Sequence, residues 1–363
     1  MRLGLIGFGY IGTVCVAGLE NICEAIYVYD TNQDKLRTID TQTVRFPEDE
    51  VENTINNSIS IFSVENIHNF ASLNLDCILV AVNTDLDKET GTLNITNVTK
   101  TLEALNDFNY QGTVILRSTL PIGPDYSSMF SKLSFKIEFV PEFLREGTSL
   151  DDFRNTQVLV IGSNEELAPE NSFATVLFGS FAKETQITNI ETAVYTKLLN
   201  NAWHSFKISF ANEAYRVGQG VNLVDSELAL NILCKDKKLN ISDAYMRPGG
   251  PFGGPCLIKD LKTLKTLDLS GGLFSYIDEV NKSHILRLAK EIISILHRSE
   301  MMKFKFDTYE FKTGTGDTRN SIATYVADLV GDLSESCFES IDAPDCVFCG
   351  RSLMDRGIVI QLR

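Results

Sequence analysis

Short apolar runs alternate with polar, helix-like stretches through the first half of the chain. The runs are Leu3 to Ile6, Ala25 to Tyr29, Cys77 to Val82, Thr113 to Leu116, Ile137 to Val140 and Val158 to Ile161. Several are continuous rather than alternating, as strands covered on both faces of a parallel sheet should be. The pattern predicts a doubly wound α/β domain ending near residue 190. From Glu191 to Val217 there is neither proline nor glycine. Apolar residues recur there at helical spacing, which predicts one long helix serving as spine and homodimer interface. Further helical patterns cover Leu223 to Cys234, Leu257 to Leu267 and Phe274 to Ser299, with a Pro- and Gly-rich loop, Arg247 to Pro255, between the first two. After Met301 the signal weakens. Lys303 to Thr308 is more polar than a buried parallel strand should be, and the final stretch has no clear pattern. The chain divides on this reading into residues 1–190, 191–300 and 301–363.

Composition narrows the partners. The chain has 363 residues, 44% hydrophobic and 22% charged, within the range of an ordinary globular protein of two domains and part of a third. A net charge of −15 repels phosphate backbones and anionic bilayers, so neither nucleic acid nor membrane is an expected partner. An anionic substrate would need locally gathered Lys and Arg. Met1 to Ile6 runs straight into a glycine-rich turn without the parts of a signal peptide. No apolar run approaches the roughly 20 residues that span a bilayer. Eight irregularly spaced cysteines do not form a disulfide framework, and Cys346 and Cys349 are a lone CxxC with no second pair to complete a zinc site. The expectation is a soluble cytoplasmic protein with reduced thiols and no metal.

Gly7-Phe8-Gly9-Tyr10-Ile11-Gly12 is a GxGxxG directly after the first strand. Gly7 permits the tight turn, Gly9 lets a pyrophosphate approach the backbone, and Gly12 allows helix to pack on strand. The N–H groups at the helix start suit the phosphates. Asp30 ends the second strand, where a carboxylate accepts the adenosine ribose hydroxyls and repels a 2′-phosphate. NAD is therefore expected over NADP.

In the second half, Gly253-Gly254-Pro255-Cys256-Leu257-Ile258-Lys259-Asp260 puts a cysteine at a helix start, where the dipole favours the thiolate. Asp260 follows one turn along the same face. Lys197 and Asn201 are also one turn apart, with Asn212 near the same face farther on. An ammonium and an amide on one stripe suit a developing oxyanion; a solvated Lys–Asn pair is the plainer reading. Glu142 and Glu146 lie just beyond a strand's carboxyl end, the edge at which open α/β sheets bind ligands, and Ser118-Thr119 reaches the same edge. A solvated loop is the alternative there.

Taken in order, these segments resemble the UDP-glucose/GDP-mannose dehydrogenase family. The matching stretches are the amino-terminal GFGYIG, RSTLPIG at Arg117 to Gly123, VPEFLREG at Val140 to Gly147, KLLNNAWHSFKISFANE at Lys197 to Glu213, YMRPGGPFGGPCLIKD at Tyr245 to Asp260, and FKTGTGDTRNS at Phe311 to Ser321. The resemblance implies an N-terminal Rossmann-like sheet, a long central helix with a helical dimerisation and catalytic domain, and a shortened C-terminal α/β region for the nucleotide sugar. It implies NAD-dependent, four-electron oxidation of a hexose C6 hydroxyl to the uronic acid through a thiohemiacetal and a thioester on Cys256. Lys197 and Asn201 then hold the C6 oxygen, Asp260 is the acid–base group, and Thr119 and Glu142 position water, with Glu142 activating it. Gly7, Gly9, Tyr10, Ile11, Gly12, Asp30, Lys35, Thr84, Ser118, Glu146, Lys259 and Arg319 match cofactor positions. Glu142, Phe143, Leu144, Lys197, Asn201, Asn240, Tyr245, Arg247, Phe252, Gly253 and Lys312 match substrate positions, Arg247 reaching toward a neighbouring subunit's site.

The chain departs from the family at Pro255, where serine is common, at Ile258, where proline is common, and at Val140, where asparagine is usual. Pro255 removes an N–H beside the nucleophile, although proline suits a helix start. About 60 residues follow Met301, too few for a complete further domain. Asn200 to His204, Lys238 to Asn240 and Tyr245 to Pro248 look most similar to GDP-mannose dehydrogenases, with UDP-glucose the runner-up substrate. Two other readings stay open: a two-electron hydroxyacid dehydrogenase, which needs the lysine but not the cysteine, and a non-catalytic NAD- or nucleotide-sugar-binding protein.

Overall fold

The computed structural model describes residues 1–87, 91–165, 167–219, 222–237, 249–267, 273–298, 304–306, 308–310, 314, 316–336, 349–354 and 357–362. They form two compact units, Met1–Leu199 and Asn200–Arg363.

The first unit opens β1 (Arg2–Ile6), α1 (Tyr10–Leu19), β2 (Ala25–Tyr29), α2 (Gln33–Asp40), α3 (Asp49–Asn57), β3 (Ile61–Ser63) and α4 (Ile67–Ala71). It continues with β4 (Cys77–Val80), α5 (Thr96–Asp107), β5 (Thr113–Leu116), α6 (Tyr126–Phe130), β6 (Lys136–Phe139) and α7 (Ser149–Arg154). It closes with β7 (Thr156–Gly162), α8 (Phe173–Phe178), β8 (Ala182–Thr188) and the start of α9 (Ile190–Gln219). The eight strands lie in the order β3-β2-β1-β4-β5-β6-β7-β8, parallel except where β7 meets β6. This is the doubly wound, Rossmann-type sheet expected from the apolar runs. Chain order reverses between β1 and β4, which leaves a crevice at their carboxyl ends.

Six strands were legible as apolar runs; β3 and β8 were not. Both are sheet edges. An edge strand is covered on fewer sides, so its sequence need not be apolar: Phe62 of β3 is 45% exposed, and Lys183 and Glu184 of β8 are exposed. Inside, β4 and β5 are buried at every position, and Val14, Cys15, Val16 and Leu19 of α1 pack into the same core. Glu138 of β6 is buried as well. Its carboxylate accepts hydrogen bonds from Ser172 Oγ at 2.7 Å and from the backbone N–H groups of Phe173 and Ala174, so it caps the start of α8 from the neighbouring layer.

The second unit holds α10 (Ser226–Lys235), α11 (Pro255–Leu267), α12 (Leu273–Arg298), β9 (Phe304–Phe306), α13 (Ile322–Ser336), β10 (Cys349–Met354) and β11 (Gly357–Leu362). The helical pattern from Leu223 starts late, at Ser226. Leu223 has φ of 68°, a turn conformation, and the Asp225 carboxylate then caps α10 by accepting from Leu228 N–H at 2.9 Å. One core gathers Ala211 and Tyr215 of α9, Leu288, Ile292 and Ile295 of α12, Phe306 of β9, and Ala323 and Val326 of α13. A smaller one joins Phe252, Leu261 of α11 and Ile277 of α12. The final stretch, patternless in sequence, contains the antiparallel pair β10 and β11, and β9 lies parallel to β11 at an edge. Among the described residues no helix is long and apolar enough to cross a membrane.

Candidate active site

The glycine-rich turn joins β1 to α1. Gly7 has φ of +100°, and a Cβ there would lie 2.6 Å from the Ala81 carbonyl oxygen. A Cβ on Gly12 would come within 1.9 Å of Gly7 O, so only glycine lets the helix sit this close. On Gly9 the nearest atom would be Asn83 Oδ1 at 3.6 Å, which leaves that face open. No side chain caps α1, so its first N–H groups remain available to an anion. A cleft of 430 Å³ runs past the turn and is lined by Gly7, Gly9, Asp30, Asn32, Lys35 and Thr101 among others. Asp30 stands at its rim, oriented by Phe8 N–H at 2.7 Å and Asn32 N–H at 2.8 Å, with Lys35 Nζ at 3.9 Å. An open glycine face, a bare helix start and an anchored carboxylate fit a dinucleotide.

Ser118 and Tyr10, also matched to the cofactor, hydrogen-bond within this unit. Ser118 Oγ donates to Val82 O at 2.7 Å, and Thr84 is buried beyond β4. Tyr10 donates to Glu48 at 2.7 Å and also receives Gly147 N–H. Burial and the Glu48 carboxylate push the Tyr10 phenol far up, so it stays a donor. Glu48 further accepts from Gly147 N, Ser149 N, Ser149 Oγ and Leu150 N. These bonds fix the segment after Glu146 to the helix that opens the turn. Sequence reasoning missed Glu48 because it begins an acidic run, Glu48-Asp49-Glu50, that looks like a solvated face.

The carboxyl edge of the sheet carries a buried ion pair. Lys197 of α9 and Glu142, in the loop after β6, are 4% and 8% exposed, and Lys197 Nζ stands 2.7 Å from Glu142 Oε1. The other oxygen of Glu142 accepts from Leu144 N–H at 3.0 Å, and Lys197 Nζ is 5.6 Å from the centre of the Phe143 ring. Burial pushes the Glu142 carboxyl up, but Lys197, the Leu144 N–H and the Arg117 guanidinium together hold it below the usual carboxylate range. Both residues being buried removes the solvated readings of Glu142 and Lys197. Arg117, beside the buried Ser118 and Thr119 at the end of β5, is itself 6% exposed, with its guanidinium 4.9 Å over the Phe178 ring. A charge so deep needs partners, and the sequence does not reveal that Arg117 is buried.

In the second unit α11 starts at Pro255, which puts Cys256 in its first turn with an exposed side chain. Asp260 is fully buried. Asn201 Nδ2 donates to its Oδ2 at 2.5 Å, and Lys259 Nζ lies 3.7 Å from Oδ1. Asn212, taken above as an extension of the oxyanion stripe, is occupied otherwise: Gly249 N–H donates to its Oδ1 at 2.9 Å and its Nδ2 donates to Gly250 O at 3.3 Å. Gly253 lies so near the segment before α13 that a Cβ would be 2.8 Å from Asn320 O, and Gly254 N–H donates to that same oxygen at 3.0 Å. Two motif stretches far apart in sequence thus meet. Arg319 beside them holds Asp317 through three side-chain hydrogen bonds, at 3.0, 3.1 and 2.6 Å, and a backbone one at 2.9 Å. Asn240, Tyr245, Arg247 and Lys312 lie outside the described residues. No group of three or more His, Cys, Asp or Glu among the described residues is arranged to hold a metal ion.

Residues 1–181 match the NAD-binding domain of the UDP-glucose/GDP-mannose dehydrogenase family, and residues 191–283 match its central domain. A GDP-mannose 6-dehydrogenase of Pseudomonas putida is 27% identical over 352 residues, covering 91% of this chain and 78% of that one. A UDP-glucose 6-dehydrogenase of Bacillus subtilis is 24% identical, covering 92% and 74%. The fold resembles that of a UDP-glucose dehydrogenase from Pyrobaculum islandicum, with a TM-score of 0.78, 24% identity and coverage of 91% and 79%. The chain belongs to the UDP-glucose/GDP-mannose dehydrogenase family.

Proposed function

We propose that this chain oxidises the C6 hydroxyl of a nucleotide-linked hexose to the carboxylate, in two NAD-dependent steps on Cys256. GDP-mannose is the favoured substrate and UDP-glucose the runner-up. Gly7, Gly9, Asp30 and Lys35 would hold the cofactor. Bound NAD supplies the hydride acceptor for each oxidation.

The chain's own groups account for the rest. The C6 hydroxyl proton passes to Asp260 as the first hydride leaves. The Cys256 thiolate adds to the resulting aldehyde, and Lys197 and Asn201, one turn apart on α9, stabilise the alkoxide of the thiohemiacetal. Loss of the second hydride gives a thioester. Glu142 takes a proton from water, the hydroxide attacks the thioester carbonyl, and the Cys256 thiolate leaves as the acid forms. The observation that carries this reading is the buried Lys197–Glu142 pair: the ammonium keeps Glu142 ionised and able to accept that proton.

Two NADH per sugar are expected, and Cys256→Ser should cut acid formation by about 10³-fold or more with NAD affinity unchanged. One NADH per sugar, or full activity in Cys256→Ser, would instead support the two-electron dehydrogenase.

A homodimer through α9 belongs to the same proposal. Tyr195, Leu199, Trp203 and Phe210 recur at helical spacing and are exposed, and Trp203 stacks on Phe206 at 5.5 Å. An aromatic ridge of this kind suits a second copy of itself. Trp203→Glu should give a monomer on size-exclusion chromatography.

A further inference from the structure

The loop that leads into Cys256 is tied down on several sides. Gly249 and Gly250 are bonded to Asn212 of α9, and Gly249 O meets His284 Nε2 at 3.1 Å. Gly254 N–H is taken by Asn320. Between these ties lies a closed pair of bonds. Phe252 N–H donates to Asn281 Oδ1 at 2.9 Å, and Asn281 Nδ2 donates to Phe252 O at 2.9 Å. One side-chain amide thus satisfies both backbone groups of one loop residue, as a neighbouring strand would. Asn281 is 6% exposed and Phe252 4%. The Phe252 ring packs with Leu261 of α11 and Ile277 of α12, so the loop, the cysteine helix and α12 share one small core.

We propose that Asn281 is a positioning residue for the oxidation. It sets the path of Phe252 and Gly253 and hence the start of α11, where Cys256 sits. The inference rests on the assignment of Cys256 as the nucleophile. Asparagine is suited to the task because it offers one donor and one acceptor side by side, without charge, to a peptide unit that needs both. An aliphatic replacement leaves a buried N–H and a buried carbonyl unpaired, and the loop then moves to find water.

The test uses the full-length protein. In the parent, GDP-mannose or UDP-glucose should protect Cys256 from iodoacetamide, read by mass spectrometry. A parent whose thiol is not protected, and whose Cys256→Ser form is active, sinks the proposed chemistry before any loop variant is made. Given protection, Asn281→Ala should lower turnover by about 100-fold, the scale of an ångström-sized misplacement. The sugar nucleotide needed for half-protection should rise about tenfold, with NAD affinity unchanged. Asn281→Asp supplies the decisive readout and covers the case in which the alanine form fails to fold. Its carboxylate cannot donate to Phe252 O, whereas the protonated acid presents one donor and one acceptor in nearly the amide's shape. Turnover of Asn281→Asp relative to the parent at the same pH should therefore climb as pH is lowered from 8 to 5. A ratio that stays flat, or parent-like turnover and protection in Asn281→Ala, overturns the proposal.

Discussion

Two buried polar pairs hang from successive turns of α9, and they differ in kind. Lys197 meets Glu142 as ammonium and carboxylate, and each charge fixes the other. Asn201 meets Asp260 as amide and carboxylate, with Lys259 Nζ also 3.7 Å from the carboxylate. An ammonium resists protonation of its partner, whereas a neutral amide orients a carboxylate without fixing its charge. The contrast matches the proposed roles. Glu142, proposed as the base, faces an ammonium at 2.7 Å, whereas Asp260, proposed as the acid–base group, faces an amide at 2.5 Å and an ammonium farther off at 3.7 Å.

The comparison breaks most visibly at Lys197. Lys197→Met leaves Glu142 buried without its cation and should destabilise the protein by about 3–5 kcal/mol in urea unfolding. Adding Glu142→Leu should recover most of that loss while turnover stays at background. A double variant that regains activity would show the pair to be structural. Next in size, Asn201→Leu removes one hydrogen bond to a buried carboxylate and should cost about 1.5–3 kcal/mol.

Acid sharpens the distinction. The folded protein holds the Glu142 carboxyl below its ordinary range, so the stability this provides is complete above that range and is lost as pH falls through the depressed folded value. Denaturation curves between pH 6 and 3 should show the parent losing about 1–2 kcal/mol that Glu142→Gln does not lose.

The smallest effect concerns a third buried carboxylate, Glu291. Burial pushes it up, against Arg287 at 3.2 Å, and its Oε2 has no hydrogen-bond partner. Its sign is opposite. A raised carboxyl costs nothing below the unfolded value and becomes a penalty as pH climbs through the folded one. Glu291→Gln should thus raise stability by about 1 kcal/mol at pH 8 and leave it unchanged at pH 4.

What the sequence made legible follows from what each element has to satisfy. The inner strands were readable because burial on both faces demands unbroken apolar runs, as in Cys77–Val80. Edge strand β8, with Lys183 and Glu184, obeys no such demand. Among the candidate residues, Cys256, Lys197, Asn201, Asp260 and Glu142 stood out by residue type within ordered motifs, but no spacing rule told that Lys197 would pair with Glu142 or Asn201 with Asp260. Those pairings are set by the packing of distant segments. Asn281 was invisible for a related reason: an asparagine in a helix looks like a surface residue until the loop that it binds is known.

Glu48 carries a consequence for anyone redesigning the cofactor turn. Its single carboxylate gathers Tyr10 of the opening helix and the N–H groups of Gly147, Ser149 and Leu150, just past the loop that bears Glu142. Turn and loop are thereby linked through one carboxylate. Substitutions in the helix intended to change cofactor preference will be transmitted through that pin toward the loop of Glu142, the proposed water-activating base. Libraries should vary Tyr10 and Glu48 together, because changing either one alone moves both ends of the lever.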